Sequence, residues 1–382
     1  MAEIKNLKKA AQRIKKAIKN NEYIILYSDA DLDGVTSVII LKETIKNLNG
    51  KISAIYFPDR EIEGYGLTKK GLTELRKFSP ALLITLDLGI GNFKEAMLAK
   101  KFGFEVIIID HHEVLEKLPE AKIIVDPKQK GDRYPFKGLA TAGICFKLSE
   151  ILLAGKMTEN LRNNFLELVA LATIADMMPK ENENLEFINL GLKSLENSWR
   201  PGIQALLETP SLNFSLDLNQ RVSKIISLLN VRDTKDGLPA HFRLLESPSI
   251  EESKELVEKL IEKSKLRKAK IEEIVANIEK NLEKLKDPII FEGDSLWEFS
   301  LISSVASIIC QKYQKPTFIF KILEKESQGT VRTPKEIDSV ALMKNCKKYL
   351  LTYGGHPQAS GFRIKNENLE KFKRCLIKNY TN

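Results

Sequence analysis

The sequence predicts an α/β protein: a doubly wound parallel sheet, joined by a long helical connector to a smaller α/β domain. Three observations carry this. Between residues 23 and 126, short apolar runs of strand length alternate with stretches of helical periodicity. That βαβ rhythm belongs to a parallel sheet with right-handed crossovers. Residues 249–286 are highly charged and keep only a broken apolar face, so they read as one long helix. At Pro288-Ile289-Ile290-Phe291 the apolar strand pattern resumes. The domains so delimited are 1–248, 249–286 and 287–382.

The elements follow in order. Residues 4–20 place Leu7, Ala11, Ile14 and Ile18 on one helical stripe, with Lys8, Lys9, Arg13, Lys15, Lys16 and Lys19 largely elsewhere. This is a helix docked by its stripe beneath a solvated basic face. Strands are predicted at 23–28, 52–57, 82–86, 106–110 and 122–125, and helices at 35–48, 68–78, 92–102 and 140–154. A helical stretch, 161–176, leads to Asp176. Residues 185–232 are mostly helical, punctuated by Pro201-Gly202 and Pro210. In the connector, Leu256, Leu260, Ile271, Ile274 and Ile278 mark the apolar face, and one continuous helix would span about 50–55 Å at the standard rise. The last domain begins with a strand at 288–291, then a helix around 300–313, a strand at 317–322 and a Gly-rich loop, Gly354 to Gly361.

At 382 residues and 43% hydrophobic composition, the chain can bury a sizeable core. A net charge of +9 favours anionic partners such as nucleic acid. No apolar run approaches the roughly 18 residues of a membrane span, and the N-terminus lacks the apolar core of a secretory signal. Cys145, Cys310, Cys346 and Cys375 show no paired short spacing, so neither a disulfide framework nor a zinc ribbon is expected, and a reducing cytoplasm is the natural compartment.

Three strand-like runs deliver carboxylates or imidazoles at their C-terminal ends. Asp29-Ala30-Asp31-Leu32-Asp33-Gly34 follows Tyr23–Tyr27, Asp87 follows Leu82–Leu86, and Asp110-His111-His112 follows Val106–Ile109. In an open parallel sheet, ligands gather at those ends. Asp29, Asp31 and Asp33, at i, i+2 and i+4, would share one face if extended. A calcium loop of the EF-hand kind would need a Glu six residues after the glycine; Ile40 stands there, and a strand precedes. Two of the four histidines sit beside a carboxylate after a β run. Mixed carboxylate and imidazole donors suit manganese first and magnesium second. Two such ions can hold a hydroxide and stabilise both ends of an in-line displacement at phosphorus, with Asp87 placed to bridge them. The residues alone thus point to phosphoester hydrolysis.

The chain resembles the DHH phosphoesterase superfamily and, within it, the RecJ-like single-strand exonucleases, over nearly its full length. Ser28 to Ser37 resembles the first motif, Thr85-Leu86-Asp87-Leu88-Gly89-Ile90 the second, and Asp110-His111-His112 the third, which names the family. Ala172-Thr173-Ile174-Ala175-Asp176 resembles the fourth, and Gly354-Gly355-His356-Pro357-Gln358-Ala359-Ser360-Gly361-Phe362 the Gly-Gly-His segment of the DHH-associated domain. Glu63-Gly64-Tyr65-Gly66-Leu67, the connector and Gly329-Thr330-Val331-Arg332-Thr333 are similar to RecJ-type segments.

The resemblance implies Asp31 as a ligand of the first metal, Asp33, His111 and Asp176 of the second, and Asp87 as the bridge. Tyr27 stands where some members have a histidine, so the first metal relies on Asp29 or water. His112 contacts the scissile phosphate or orients His111. His356, with amides near Gly354 and Gly355, cradles a phosphate, and Arg332 clamps one in bidentate fashion. Asn230, in Leu228-Leu229-Asn230-Val231-Arg232, is the RecJ-like substrate residue, although the small residues that usually follow it are absent. Trp297-Glu298-Phe299 lacks the usual His and Gly. The chain stops after the DHH-associated domain, without the oligonucleotide-binding barrel of full-length bacterial RecJ.

The function so implied is metal-dependent hydrolysis of single-stranded nucleic acid, DNA first, from the 5′ end to mononucleotides, with replication or repair proteins as partners. Two alternatives remain. One is a hydrolase of short oligoribonucleotides, nucleoside bisphosphates or cyclic dinucleotides. The other is a non-catalytic replication scaffold.

Overall fold

The computed structural model describes residues 3–60, 62–114, 117–213, 217–282 and 287–381. It divides into two compact units, Met1–Ile261 and Glu262–Asn382.

The first unit opens with helix α1 (Leu7–Lys19), strand β1 (Tyr23–Ser28), α2 (Leu32–Asn47), β2 (Ala54–Tyr56), α3 (Lys69–Leu75), β3 (Ala81–Leu86), α4 (Phe93–Lys101), β4 (Phe104–Ile109), β5 (Ile123–Val125), α5 (Thr141–Leu152) and α6 (Glu159–Ala175). The strands form one sheet in the order β2-β1-β3-β4-β5, parallel throughout. Successive strand residues serve opposite faces. Ile24 and Leu26 join one core with side chains of α1, α2, α5 and α6, while Ile25 and Tyr27 join another with Leu72, Leu75 and Ala99 of α3 and α4. Helices therefore cover both faces, which is why the strands read as unbroken apolar runs. Helix α1 docks Leu7, Ala10, Ala11, Ile14 and Ala17 into the first core and leaves Lys8, Lys9, Lys15, Lys16 and Lys19 exposed.

Past α6 come α7 (Asn182–Leu195), α8 (Pro201–Glu208), α9 (Pro210–Asn213), α10 (Leu218–Leu229), a two-stranded ribbon of β6 (Thr234–Lys235) and β7 (Leu238–Pro239), and α11 (Ala240–Leu245). Pro201 and Pro210 each start a helix, where the missing N–H costs nothing. The 33-residue α12 (Ile250–Leu282) is continuous. Val257 and Leu260 pack in the first unit, and Ile271, Ile274 and Ile278 in the second. The last residues of the expected connector, 283–286, lie outside the described ones. No helix among the described residues is long and apolar enough to cross a membrane.

The second unit continues with β8 (Ile290–Asp294), α13 (Phe299–Tyr313), β9 (Thr317–Ile322), β10 (Glu326–Arg332), α14 (Ser339–Lys344), β11 (Leu350–His356), β12 (Ala359–Lys365) and α15 (Leu369–Thr381). Its sheet, β11-β12-β10-β9-β8, is antiparallel except for the β8–β9 pair.

Two expectations need correction here. The Gly-rich loop is a hairpin: Gly354 pairs with Gly361 and Gly355 with Ser360, leaving Pro357 and Gln358 as the turn. Gly355 has φ 132, and a Cβ there would lie 2.6 Å from the Ala359 carbonyl oxygen, so the strand demands glycine. The cysteines are not all free. Cys346 and Cys375, 29 residues apart, form a disulfide with Cα atoms 6.0 Å from each other. Short-range spacing says nothing about a pair that the fold brings together against α15.

Candidate metal centre

The strand order reverses at β1, whose sequence successor β2 lies on one side and β3 on the other. Loops leaving the carboxyl ends of β1 and β3 diverge there, and the crevice between them is where such sheets bind ligands. Asp29, Asp31 and Asp33 leave β1, Asp87 leaves β3, and Asp110, His111 and His112 leave β4. The three aspartates do not share one extended face, because α2 begins at Leu32. Asp31 is its N-cap, accepting the Gly34 N–H at 3.0 Å, and Asp33 lies in its first turn. A Cβ at Gly34 would meet the Asp29 carbonyl oxygen at 2.4 Å, so only glycine lets the helix start this close.

His111 is the focus. Its Nε2 lies 3.3 Å from Asp87 Oδ1, 3.5 Å from Asp176 Oδ2 and 3.9 Å from Asp33 Oδ2. The ring is buried, and neither nitrogen has a hydrogen-bond partner among the described residues. Burial and then the charge of His112 push its pKa down to about 4, so the ring is neutral near pH 7. Around it the carboxylates are crowded into the opposite condition. Burial and then Asp176 push Asp33 up to about 8. Burial, Asp33 and Asp31 raise Asp87 far above the usual range. Burial and Asp31 push Asp176 up to about 6. Asp87 also has φ 60, a left-handed backbone that few side chains tolerate and that clusters at functional sites.

This donor set fits divalent cations. Three groups each bring one donor atom per residue within 4.8 Å of one another: Asp33-His111-Asp176, Asp87-His111-His112 and Asp29-Asp31-Asp87. A neutral imidazole without a hydrogen-bond partner among the described residues, facing the buried Asp33 and Asp87 and the more exposed Asp176, lacks what a cation would supply.

The Asp29–Asp31 side carries a residue that sequence reasoning missed. Arg60 Nη2 lies 2.6 Å from Asp29 Oδ2 and 2.8 Å from Asp31 Oδ2, and its Nε donates to Asp29 Oδ1 at 2.7 Å. The Tyr65 ring, largely exposed, lies 4.2 Å from the guanidinium. Burial would raise Asp31, but Arg60 and the Gly34 amide outweigh it and hold this carboxyl below its ordinary value. Asp29, more deeply buried and facing Asp31, is pushed up to about 6 despite Arg60. A lone arginine in a loop gives no local signal, although it stands just before the RecJ-like Glu63–Leu67 segment. Tyr27 is no donor to the centre: its hydroxyl contacts Thr68 Oγ1 at 3.2 Å, accepts the Thr68 N–H at 3.1 Å, and its ring stacks on Tyr56.

Asp110 acts as a hub. Its Oδ1 accepts the His111 N–H at 2.8 Å and the His112 N–H at 3.2 Å, and sits 2.8 Å from His112 Nδ1; its Oδ2 accepts the Ile90 N–H at 3.0 Å. That bond to Asp110, ahead of the opposing effect of burial, pushes His112 up to about 9. His112 is therefore a half-exposed cation beside the carboxylates. Helix α5 reaches the same centre: the Thr141 and Ala142 amides donate to Asp33 Oδ2 and Oδ1 at 2.7 and 2.8 Å, and Thr141 Oγ1 lies 3.0 Å from Asp87 Oδ1.

Asn230, the C-cap of α10, lines a pocket with Asp31, Arg60, Arg232 and His241. The buried His241 ring faces the main-chain carbonyls of Asp31, Ala30 and Leu229, without a hydrogen bond of normal geometry. Arg332, Gly354, Gly355 and His356 belong to the second unit. Half-buried Arg332 contacts Ser303 Oγ at 2.6 Å, Ser307 Oγ at 3.2 Å and Thr330 Oγ1 at 3.0 Å, and no carboxylate pairs with it among the described residues. Gly354 and Gly355 sit on edge strand β11; the His356 side chain lies outside the described residues.

Comparison with known proteins agrees with this architecture. RecJ of Bacillus subtilis, a single-stranded-DNA-specific exonuclease, is 32% identical over 379 residues, covering 98% of this chain and 48% of the relative. The chain thus spans about half the length of that protein. A crystal structure of exonuclease RecJ bound to manganese superposes with a TM-score of 0.82 at 25% identity, covering 100% of this chain and 95% of that one. RecJ of Thermus thermophilus in complex with Mn2+ superposes with a TM-score of 0.84 at 24% identity, covering 99% and 55%, which speaks to the fold. Residues 23–173 match the N-terminal domain of the DHH family and residues 286–381 the DHHA1 domain, so the chain carries both domains, and the sheet whose switch point gathers these carboxylates and His111 is its DHH domain.

Proposed function

We propose that the chain is a metal-dependent phosphodiesterase of RecJ type, removing mononucleotides from the 5′ end of single-stranded nucleic acid, DNA in preference to RNA. One observation carries it: the neutral, unpartnered imidazole of His111 facing Asp33, Asp87 and Asp176 at the switch point. The relatives named single-stranded-DNA-specific exonucleases, and the RecJ structure bound to manganese, support the substrate and the metal. Replication or repair proteins as partners follow from the same likeness.

Two divalent cations, manganese or magnesium, would supply Lewis-acid stabilisation of the phosphoryl oxygens and a hydroxide at neutral pH. Asp33, His111 and Asp176 would hold one, Asp31 with Asp29 the other, and Asp87 both. Arg60 competes for the Asp29–Asp31 side, so that cation is the weaker bound. The side chains do the remaining work. His112, charged through Asp110, donates its free Nε2–H to a phosphate oxygen. Arg332, whose neighbours here are hydroxyls, has uncompensated charge for a second phosphate. The β11 amides near Gly354 and Gly355, with His356, and Asn230 in the first unit, contact the strand. Tyr65 offers an exposed ring on which a base can stack.

The test is end-labelled single-stranded DNA and RNA of graded length with Mn2+, resolved by product size. Mononucleotides from the first time points, from the 5′ end only, are expected. A preference for dinucleotides over ten-mers would overturn the exonuclease reading in favour of the short-substrate one, and binding without any cleavage would favour the scaffold.

A further inference from the structure

One residue touches two of the three carboxylates around His111, Asp33 and Asp87, without itself carrying charge. Thr141, fully buried, opens α5. Its N–H donates to Asp33 Oδ2 at 2.7 Å, the following Ala142 N–H donates to Asp33 Oδ1 at 2.8 Å, and the Thr141 hydroxyl reaches Asp87 Oδ1 at 3.0 Å.

The two carboxylates are held in different ways. Asp33 is fixed through main-chain amides, which any residue but proline at 141 would supply. Asp87 depends on the side chain. It leaves β3 with φ 60, and its neighbours Asp33, Asp31, Asp110 and Asp29 all repel it. Among the described residues, Thr141 Oγ1 is the neutral donor that reaches its carboxylate. His111 Nε2, 3.3 Å from the same Oδ1, is not in hydrogen-bonding geometry.

We infer that Thr141 is a positioning residue: its hydroxyl fixes the orientation of Asp87 and thereby sets the affinity of the centre for divalent cations. The inference rests on the metal reading above. Without the hydroxyl, the Asp87 carboxylate faces a methyl group, loses its compensating donor and is free to turn away. Partners that orient a metal ligand typically cost 10–100-fold in metal affinity when removed, so a loss of roughly that size is the expectation.

The experiment is Mn2+ titration of the full, EDTA-treated chain, followed by the electron paramagnetic resonance of free Mn2+, for the unchanged protein, Thr141→Val and Thr141→Ser. Thr141→Val preserves shape and the Asp33 amides. It should bind Mn2+ roughly 10–100-fold more weakly while the metal-free chain still folds, its melting temperature lowered by no more than the loss of one buried hydrogen bond explains, and Thr141→Ser should restore most of the affinity. Should the valine variant fail to fold, Thr141→Ala carries the same comparison with Ser. A valine or alanine chain that binds Mn2+ as the unchanged chain does overturns the inference, as does a serine chain that binds as weakly as valine. A loss of affinity that comes with loss of the metal-free fold in both the valine and the alanine chains overturns it too. If the unchanged chain binds no Mn2+, the metal reading itself falls.

Discussion

The carboxylate cluster should make the metal-free protein less stable as pH rises through neutrality, and Mn2+ should reverse that trend. A carboxyl whose folded pKa is raised holds its proton more tightly when folded than when unfolded. Ionising it therefore costs stability, beginning at the unfolded pKa and complete only above the folded one. Asp33, fully buried, is raised from the ordinary 3.8 to about 8. Between about pH 6.5 and pH 8.5 the unfolded chain has already lost this proton while the folded chain is losing it. With 1.36 kcal/mol per pKa unit, Asp33 alone removes about 2 kcal/mol across that interval. His112 acts in the same direction: raised to about 9, it stabilises below its unfolded value of 6.5, and that contribution is lost as pH climbs towards 9. It is half-exposed, so solvent screens the effect and only its sign is used. His111 and His241, both lowered to about 4, oppose the trend only below about pH 6.5, outside the interval.

Two kcal/mol corresponds to about 4–8 °C in melting temperature for a unit of this size. The assay is differential scanning calorimetry of EDTA-treated protein at both pH values, with and without Mn2+. Metal ligands bind deprotonated, so Mn2+ should raise the melting temperature more at pH 8.5 than at pH 6.5. A metal-free protein equally or more stable at pH 8.5, or one that Mn2+ stabilises equally at both, would refute the reasoning.

Other outcomes follow from single contacts. Asp87→Asn should abolish Mn2+-dependent hydrolysis while raising the metal-free melting temperature near pH 8, since it removes the carboxylate most opposed by its neighbours; residual chelator-resistant cleavage would count against the centre. Arg60→Ala should cost about 1–3 kcal/mol of metal-free stability by leaving Asp29 buried and unpaired, and Mn2+ should recover more of it than it adds to the unchanged chain, as thermal melts would show. Arg332→Ala should lower kcat/KM by an amount equivalent to about 1.5–3 kcal/mol, the worth of one charge-assisted phosphate contact, with Mn2+ titration unchanged; a fall in metal occupancy would move Arg332 into the metal site. Single strands of roughly ten nucleotides, near one binding module's site size, should be cut about as well as much longer ones, with blunt duplex and 5′-blocked strands resisting on a sequencing gel.

The parts of this protein that were legible in its sequence are those whose signal is local. A strand buried on both faces must be an apolar run, so β1, β3 and β4 appear as such, and the residue that ends each run is where a parallel sheet presents its ligands. Asp87 and His111 could be placed in one crevice on that argument alone. What stayed hidden depends on the chain returning from far away. Arg60 meets Asp29 across a sequence separation of 31 residues, Thr141 meets Asp87 across 54, and Cys346 meets Cys375 across 29. None of these residue types is unusual where it stands: an arginine in a loop, a threonine at a helix start, and two cysteines, one in a turn and one on α15, all have ordinary local explanations. The Gly-Gly-His segment misled for a related reason. Glycines suggest a turn, whereas here β12 approaches so closely that a side chain at Gly355 would collide with its backbone. The same division explains the centre itself. The charged donors, which must be Asp or His, are visible as residue types, while the neutral groups that orient them, an amide of α5 or the hydroxyl of Thr141, carry no mark until the fold brings them within 3 Å.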